Sequence, residues 1–208
     1  MEESTKWIII GIIAAIIIGA VMIVVWGFGF YTSTHNTLVE KDVNVEQAKG
    51  DLQSQYQRRA DLIPKLIDSV QASAQFEKST QTEVAGLRSQ AISGQQKMTN
   101  ARTVQDIETA GNIIDNTLSR LMVVMEKYPE LKSTEGFRNY EVQIEGTENR
   151  INYARTEYNE RVGEYKKYVR NFPEMFIANF EGYSVDKWMM FEAKTGADVS
   201  PDITFKPI

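Results

Sequence analysis

The sequence predicts an all-α protein: one N-terminal transmembrane helix followed by an antiparallel bundle of three long helices and a short C-terminal fourth. Three observations carry this expectation. Residues 7–30 form an unbroken run with no charged or strongly polar side chain. Beyond it, apolar residues recur every three or four positions over long stretches, the period of a helix with one buried face. Prolines at 129 and 173 stand where two of these stripes stop, as expected from the bias of a residue before proline against helical angles.

The apolar run follows a short polar tail, residues 1–6. As a helix it would reach roughly 36 Å at about 1.5 Å per residue, enough to cross a hydrocarbon core of roughly 30 Å with some tilt. It is longer than the apolar region of a secretory signal, and Tyr31-Thr32-Ser33-Thr34 after it offers no small-x-small cleavage pattern. Trp7 at one end and Trp26 and Tyr31 near the other suit the headgroup level. The expectation is a single-pass protein of the cell membrane. Lys6 on one flank and Lys41 and Lys49 on the other give too slight a charge imbalance to orient it. Within the run, Gly11, Ala15 and Gly19 fall four residues apart and place small side chains on one helix face, a pattern that lets helices approach closely in lipid. Those three positions are the candidate transmembrane self-association face.

Residues 31–183 are expected to form the bundle. Leu38, Val45, Ala48, Leu52, Tyr56, Arg59, Leu62, Leu66, Val70 and Ala74 keep helical step, and Leu87 and Ala91 resume it, so the first bundle helix is read as about residues 34–92. At about 1.5 Å per residue it would be roughly 85 Å long, with excess length suited to a stalk. Pro64 lies inside it and removes one backbone hydrogen bond. The polar stretch Ser93-Gly94-Gln95-Gln96-Lys97 is read as the connection to a second helix, about 102–128, whose stripe is Val104, Ile107, Gly111, Ile114, Leu118, Leu121, Met125 and Tyr128. The third helix, 134–172, has a stripe from Phe137 through Ile144, Ile151, Tyr158 and Tyr165 to Phe172. A short fourth helix covers 174–181 and ends at Gly182. The tail, 184–208, has no period, but Trp188, Met189, Met190, Phe191 and Phe205 would pin it to the bundle.

Composition excludes several chemistries. A net charge of −5 without a Lys/Arg block argues against nucleic acid and against a polybasic lipid contact. The absence of cysteine removes thiolate chemistry and disulfides. His35 is the only histidine, so neither a two-histidine zinc helix nor a pair of Glu-x-x-His di-iron motifs can be built, and no cofactor is expected. No Gly-x-Ser-x-Gly turn or phosphate-cradling loop is present. Carboxylate pairs such as Asp61 with Asp68, or Glu145 with Glu148, arise readily by chance among 28 acidic residues and are a poor basis for acid–base catalysis.

One stretch is out of keeping with an ordinary amphipathic helix. Tyr56-Gln57-Arg58-Arg59-Ala60-Asp61-Leu62-Ile63-Pro64 places two arginines, an aspartate and a proline where plain helix is expected. One arginine, partly buried, would pair with Asp61 or with a glutamate of the third helix such as Glu148 or Glu157, fixing register.

Gln57 to Pro64 resembles the hallmark of LemA proteins, and further stretches fall in that family's order. They are Asn36 to Val39, Glu145 to Ile151, Ala154-Arg155, Tyr158-Asn159, Phe172-Pro173, and Ile177-Ala178 ahead of Gly182-Tyr183, so that the resemblance covers residues 7–205. Lys65, where the family usually has asparagine, and Lys49, where many members have tryptophan, are departures. The resemblance implies one membrane helix, an antiparallel bundle and no agreed enzymatic activity. It also marks Arg58, Arg59, Asp61, Pro64, Glu148, Arg155, Tyr158, Phe172 and Pro173 as motif or interaction residues. The functional expectation is a non-enzymatic, membrane-anchored scaffold or adaptor, a homo-oligomer whose other partners are the bilayer and envelope proteins such as membrane proteases. Membrane-protein quality control is one setting the family suggests. A signalling transducer is the alternative, and a hydrolase using acidic residues ranks last.

Overall fold

A computed structural model describes residues 2–73, 77–128 and 134–191. Among these the chain is all helical, with no strand. Helix α1 spans Glu2–Ser73, α2 Lys78–Thr99, α3 Val104–Glu126, α4 Glu135–Arg170 and α5 Glu174–Phe180, followed by a 3₁₀ turn at Val185–Lys187.

The chain divides into two compact units, and both α1 and α4 contribute to each. Among the described residues the first unit comprises residues 2–45 and 163–188, in which the turns of α1 just after the apolar run meet the end of α4, α5 and the 3₁₀ turn while the side chains of the run from Trp7 to Phe28 stay exposed. Its contacts set the direction of the chain. Lys41 pairs with Glu164 at 2.8 Å, and the Asp42 carboxylate accepts from Lys187 Nζ at 2.7 Å and from the Trp188 indole at 2.8 Å. Nearer the apolar run, His35 lies 2.9 Å from both oxygens of Glu181. Residues 164 to 170 therefore descend α1 toward the apolar run, α5 follows, and residues 182 to 188 climb back. Thr34, Leu38, Val45, Tyr165, Val169 and Ala178 are the buried side chains of this arrangement. Burial, with Asp42 and Tyr183 nearby, pushes the Tyr165 hydroxyl up to about 12, so it remains a donor to the Ser184 carbonyl at 3.1 Å.

The second unit comprises, among the described residues, 46–73, 77–128, 134–162 and 189–191. Its core takes Leu52, Tyr56, Ile63, Leu66 and Ile67 from α1, Val84, Leu87 and Met98 from α2, Ile107, Ile114 and Leu121 from α3, and Phe137, Ile151 and Tyr158 from α4. Burial of Ala60, Ile63 and Ile67 beside the expected stripe makes the apolar face of α1 wider than one seam. The helix continues through Pro64, which cannot donate to the Ala60 carbonyl.

Three expectations need correction. The helix read as 34–92 is two helices, with α1 continuous from the apolar run to Ser73 and α2 beginning at Lys78. The stretch Ser93 to Lys97, read as a connection, lies inside α2, and the α2–α3 junction is at residues 100–103. Gly94 is there for packing: a Cβ on it would stand 3.0 Å from Ile114 Cγ1 and 3.2 Å from Ile113 Cγ2, so its missing side chain lets α2 and α3 close up. Phe172 does not end the buried stripe of α4. The helix stops at Arg170, helical phase is lost, and Phe172 is 78% exposed before a cis peptide bond to Pro173. Ala74, Pro129, Ser133 and Phe205 lie outside the described residues.

Helix α3 opens with a capping box. The Asp106 N–H donates to Thr103 Oγ1 at 3.1 Å, while Asp106 Oδ2 accepts from the Thr103 N–H at 2.9 Å and the Arg102 N–H at 3.1 Å. The backbone donors of Thr103 and then Arg102 hold the Asp106 carboxyl below the usual carboxylate range. Its stabilising contribution is present above the unfolded carboxylate value, about 4, and is lost as pH falls through the lowered folded value. Thr103→Ala is expected to cost about 1 kcal/mol, measured by denaturant unfolding. In Asp106→Asn, the acid-side decline in stability should be shallower than in the parent chain.

Candidate interaction site

The two adjacent arginines separate because successive helical residues point about 100° apart. Arg59 falls on the buried face of α1 and is 8% exposed; Arg58 points to solvent. The Arg59 guanidinium reaches Glu148 of α4 at 2.5 Å and Asp115 of α3 at 3.3 Å through Nη1, and its buried Nε makes no hydrogen bond among the described residues. Three helices thus meet on one charge. Asp115, missed by the sequence reading, carries no sequence signal of its own, since it lies beside the α3 stripe rather than in it.

Asp61 pairs with neither arginine. Its Oδ1 accepts from Gln57 and Gln95 amides, each at 2.8 Å, and Gln57 Oε1 accepts from Thr99 Oγ1 at 3.1 Å. Gln53 Nε2 donates to the Met98 carbonyl at 2.8 Å. Gln53, Gln57, Asp61 and Thr99 line an open groove along α1 and the end of α2, edged by Arg58 and Lys65, both exposed and without an ion pair among the described residues. Of the carboxylate pairs considered, Asp68 is bound by Arg88 at 2.7 Å and Glu148 by Arg59.

A second cluster gathers Tyr56, Arg155 and Phe191. Tyr56 and Phe191 rings lie 6.4 Å apart and nearly parallel, and Arg155 Cζ lies 5.3 and 4.8 Å from their centroids, with Nη2 donating to the Tyr56 hydroxyl. Burial lowers the Arg155 pKa, and the two ring faces supply cation–π attraction where no carboxylate among the described residues pairs with it. Gly111 backs Tyr56 so closely that a Cβ would stand 2.7 Å from Tyr56 Cε1. Asn159 clamps the backbone of Phe191, donating to its carbonyl at 2.9 Å and accepting from its N–H at 2.7 Å. Tyr158, its hydroxyl pushed up to about 12 by burial, donates to the Met189 carbonyl at 2.7 Å. Arg155, Tyr158 and Asn159 therefore hold residues 189–191.

The remaining candidates are elsewhere. Phe172 and Pro173 belong to the other unit, and Gly11, Ala15 and Gly19 lie on α1 where it is exposed, with nothing within 4 Å of a Cβ added to either glycine. The site residues thus form an arginine node, an amide-lined groove and an aromatic clamp.

The model of the LemA family matches residues 48–205. The magnetosome proteins MamQ 1 and MamQ 2 of Paramagnetospirillum magneticum are each 21% identical to the chain, over 98% of it and 81% of their own length.

Proposed function

Because the chain belongs to the LemA family, we propose that it is a membrane-anchored, non-enzymatic helical scaffold that self-associates through its anchor and engages envelope proteins through its bundle. One observation carries the reading. Every large apolar side chain of α1 from Trp7 to Phe28 is at least 51% exposed, on a helix long and apolar enough to cross a membrane. A core helix would be covered, and an apolar surface of this extent is not sustained in water. The same helix runs without interruption into the packed residues, so whatever the bundle binds is held at the bilayer. Arg58 and Lys65, exposed at the edge of a groove that also holds the Asp61 carboxylate, support reading that groove as a polar contact surface for a partner protein.

The cysteine-free chain permits a direct test by single substitutions in full-length protein in membranes. Gly11→Cys, Ala15→Cys and Gly19→Cys should each give disulfide-linked dimers on mild oxidation. Ile13→Cys and Ile17→Cys, on the opposite face, should not. A strict monomer in detergent with no crosslink at the small-residue face would end the case for self-assembly.

A further inference from the structure

Helix α5 and the turn before it carry apolar side chains that nothing among the described residues covers. Phe176 and Phe180, one turn apart on α5, are 61% and 83% exposed, and Phe172, in the turn before the helix, is 78% exposed with its ring edge to face on Phe176 at 5.8 Å between centroids. Ala178, on the opposite side of the helix, is fully buried. The burial pattern therefore turns Phe176 and Phe180 outward, with Phe172 packed beside them.

The position of this face along α1 is fixed by the residue that follows it. The Glu181 carboxylate, next to Phe180, is bound by His35 at 2.9 Å and by the Tyr31 hydroxyl. Partial burial works against that charge, but the hydrogen bonds from His35 and Tyr31 outweigh it and hold the Glu181 pKa below its ordinary value. Tyr31 and His35 are one and five residues past the end of the apolar run, so they stand about 1.5 and 7.5 Å beyond it by helical rise. The headgroup layer on each side of a bilayer is about 5–8 Å thick. Phe30 is half-buried and Thr34 and Leu38 are buried, so α1 is covered from the very end of the run. Arg170, exposed in the last turn of α4, comes six residues after Glu164, the partner of Lys41, and by helical rise lies about 9 Å nearer the run, level with His35.

We propose that Phe172, Phe176 and Phe180 form a second membrane contact, seated at the headgroup–acyl boundary of the bilayer that α1 spans. Short elements with Phe on one face and Lys or Arg beside it bind at this depth by burying the rings and placing the cations among phosphates. The anchor confines the face to the lipid surface, which makes lipid its occupant in preference to a soluble protein. The inference rests on the membrane reading of α1, and its test separates the two.

Single cysteines are introduced into the full-length chain at Phe176, Phe180, Asn179, Ile17 and Ser54, spin-labelled, and the protein is placed in nanodiscs of phosphatidylcholine and phosphatidylglycerol. Asn179→Cys keeps all three rings and reports on the same helix if a Phe→Cys variant misfolds. Ile17 reports on the anchor, and exposed Ser54 is the aqueous reference. Collision with lipid-soluble oxygen should dominate at Ile17, Phe176 and Phe180, with collision with a water-soluble nickel chelate reduced several-fold from its level at Ser54. Asn179 should fall between. Nickel access at Phe180 and Asn179 equal to that at Ser54, with Ile17 still in lipid, would overturn the second contact and leave the anchor standing. Shielding from both reagents, with spin–spin broadening that vanishes on dilution with unlabelled chain, would give the face to a second copy and also overturn it. Nickel access at Ile17 would refute the anchor itself, and the contact with it.

Discussion

Arg59→Ala is expected to lower unfolding free energy by roughly 2–4 kcal/mol, the larger part coming from what it abandons. Asp115 and Glu148 approach one nitrogen of Arg59 from two other helices, and removing the guanidinium leaves two carboxylates facing a shared, partly dry space. The carboxylates differ in access to water: the Asp115 side chain is 18% exposed and that of Glu148 48%. Glu148→Gln should therefore cost about 1 kcal/mol or less. Adding Asp115→Asn to Arg59→Met should recover part of the loss of Arg59→Met alone, since the stranded charge goes with its partner. Denaturant unfolding of the full chain in detergent, followed by circular dichroism, measures all four. Equal losses for Arg59→Ala and Glu148→Gln would mean that the node is an exposed pair rather than a buried tie.

Gly111→Ala should cost roughly 1–3 kcal/mol by overpacking, although alanine is the better helix former. The added carbon would lie 2.7 Å from the Tyr56 ring, which is itself held by Arg155 and Phe191 and cannot swing away. In a Tyr56→Leu background the same substitution should cost less than in the parent, a coupling that a double-mutant cycle reads directly. Full additivity would show that the glycine serves something other than the ring.

These two positions show what could be read from sequence. The all-α class was legible because α3 and α4 keep a three-to-four step over many turns. The stretch around Arg59 was visible as an anomaly because Arg59 falls on an apolar stripe where a charge is out of place, and Glu148 was among the acids considered for it. Asp115 was hidden, since an aspartate beside a stripe looks solvated until a third helix arrives. The break between α1 and α2 was hidden for a related reason: Ala74-Gln75-Phe76 carries no glycine or proline, while Ser93 to Lys97 has the composition of a connection. There the glycine answers to a neighbouring helix, and tertiary packing overrides local signals. The Thr103-x-x-Asp106 box was a genuine start signal for α3 that the reading passed over. Phe172 was misassigned by extending a period two residues beyond the helix that sustains it.

The return of residues 182 to 188 to Asp42 has a consequence for the order of biosynthesis. Asp42 waits for Lys187 and Trp188, which follow it by 145 and 146 positions, and His35 waits as long for Glu181. A ribosome therefore makes the turns of α1 that hold His35 and Asp42 long before the residues that cover them, and these turns emerge bare. Closing so long a loop is entropically costly and slow. The nascent chain therefore passes through a period in which this stretch of α1 carries an unfinished collar, its apolar positions open until residues 181 to 188 arrive.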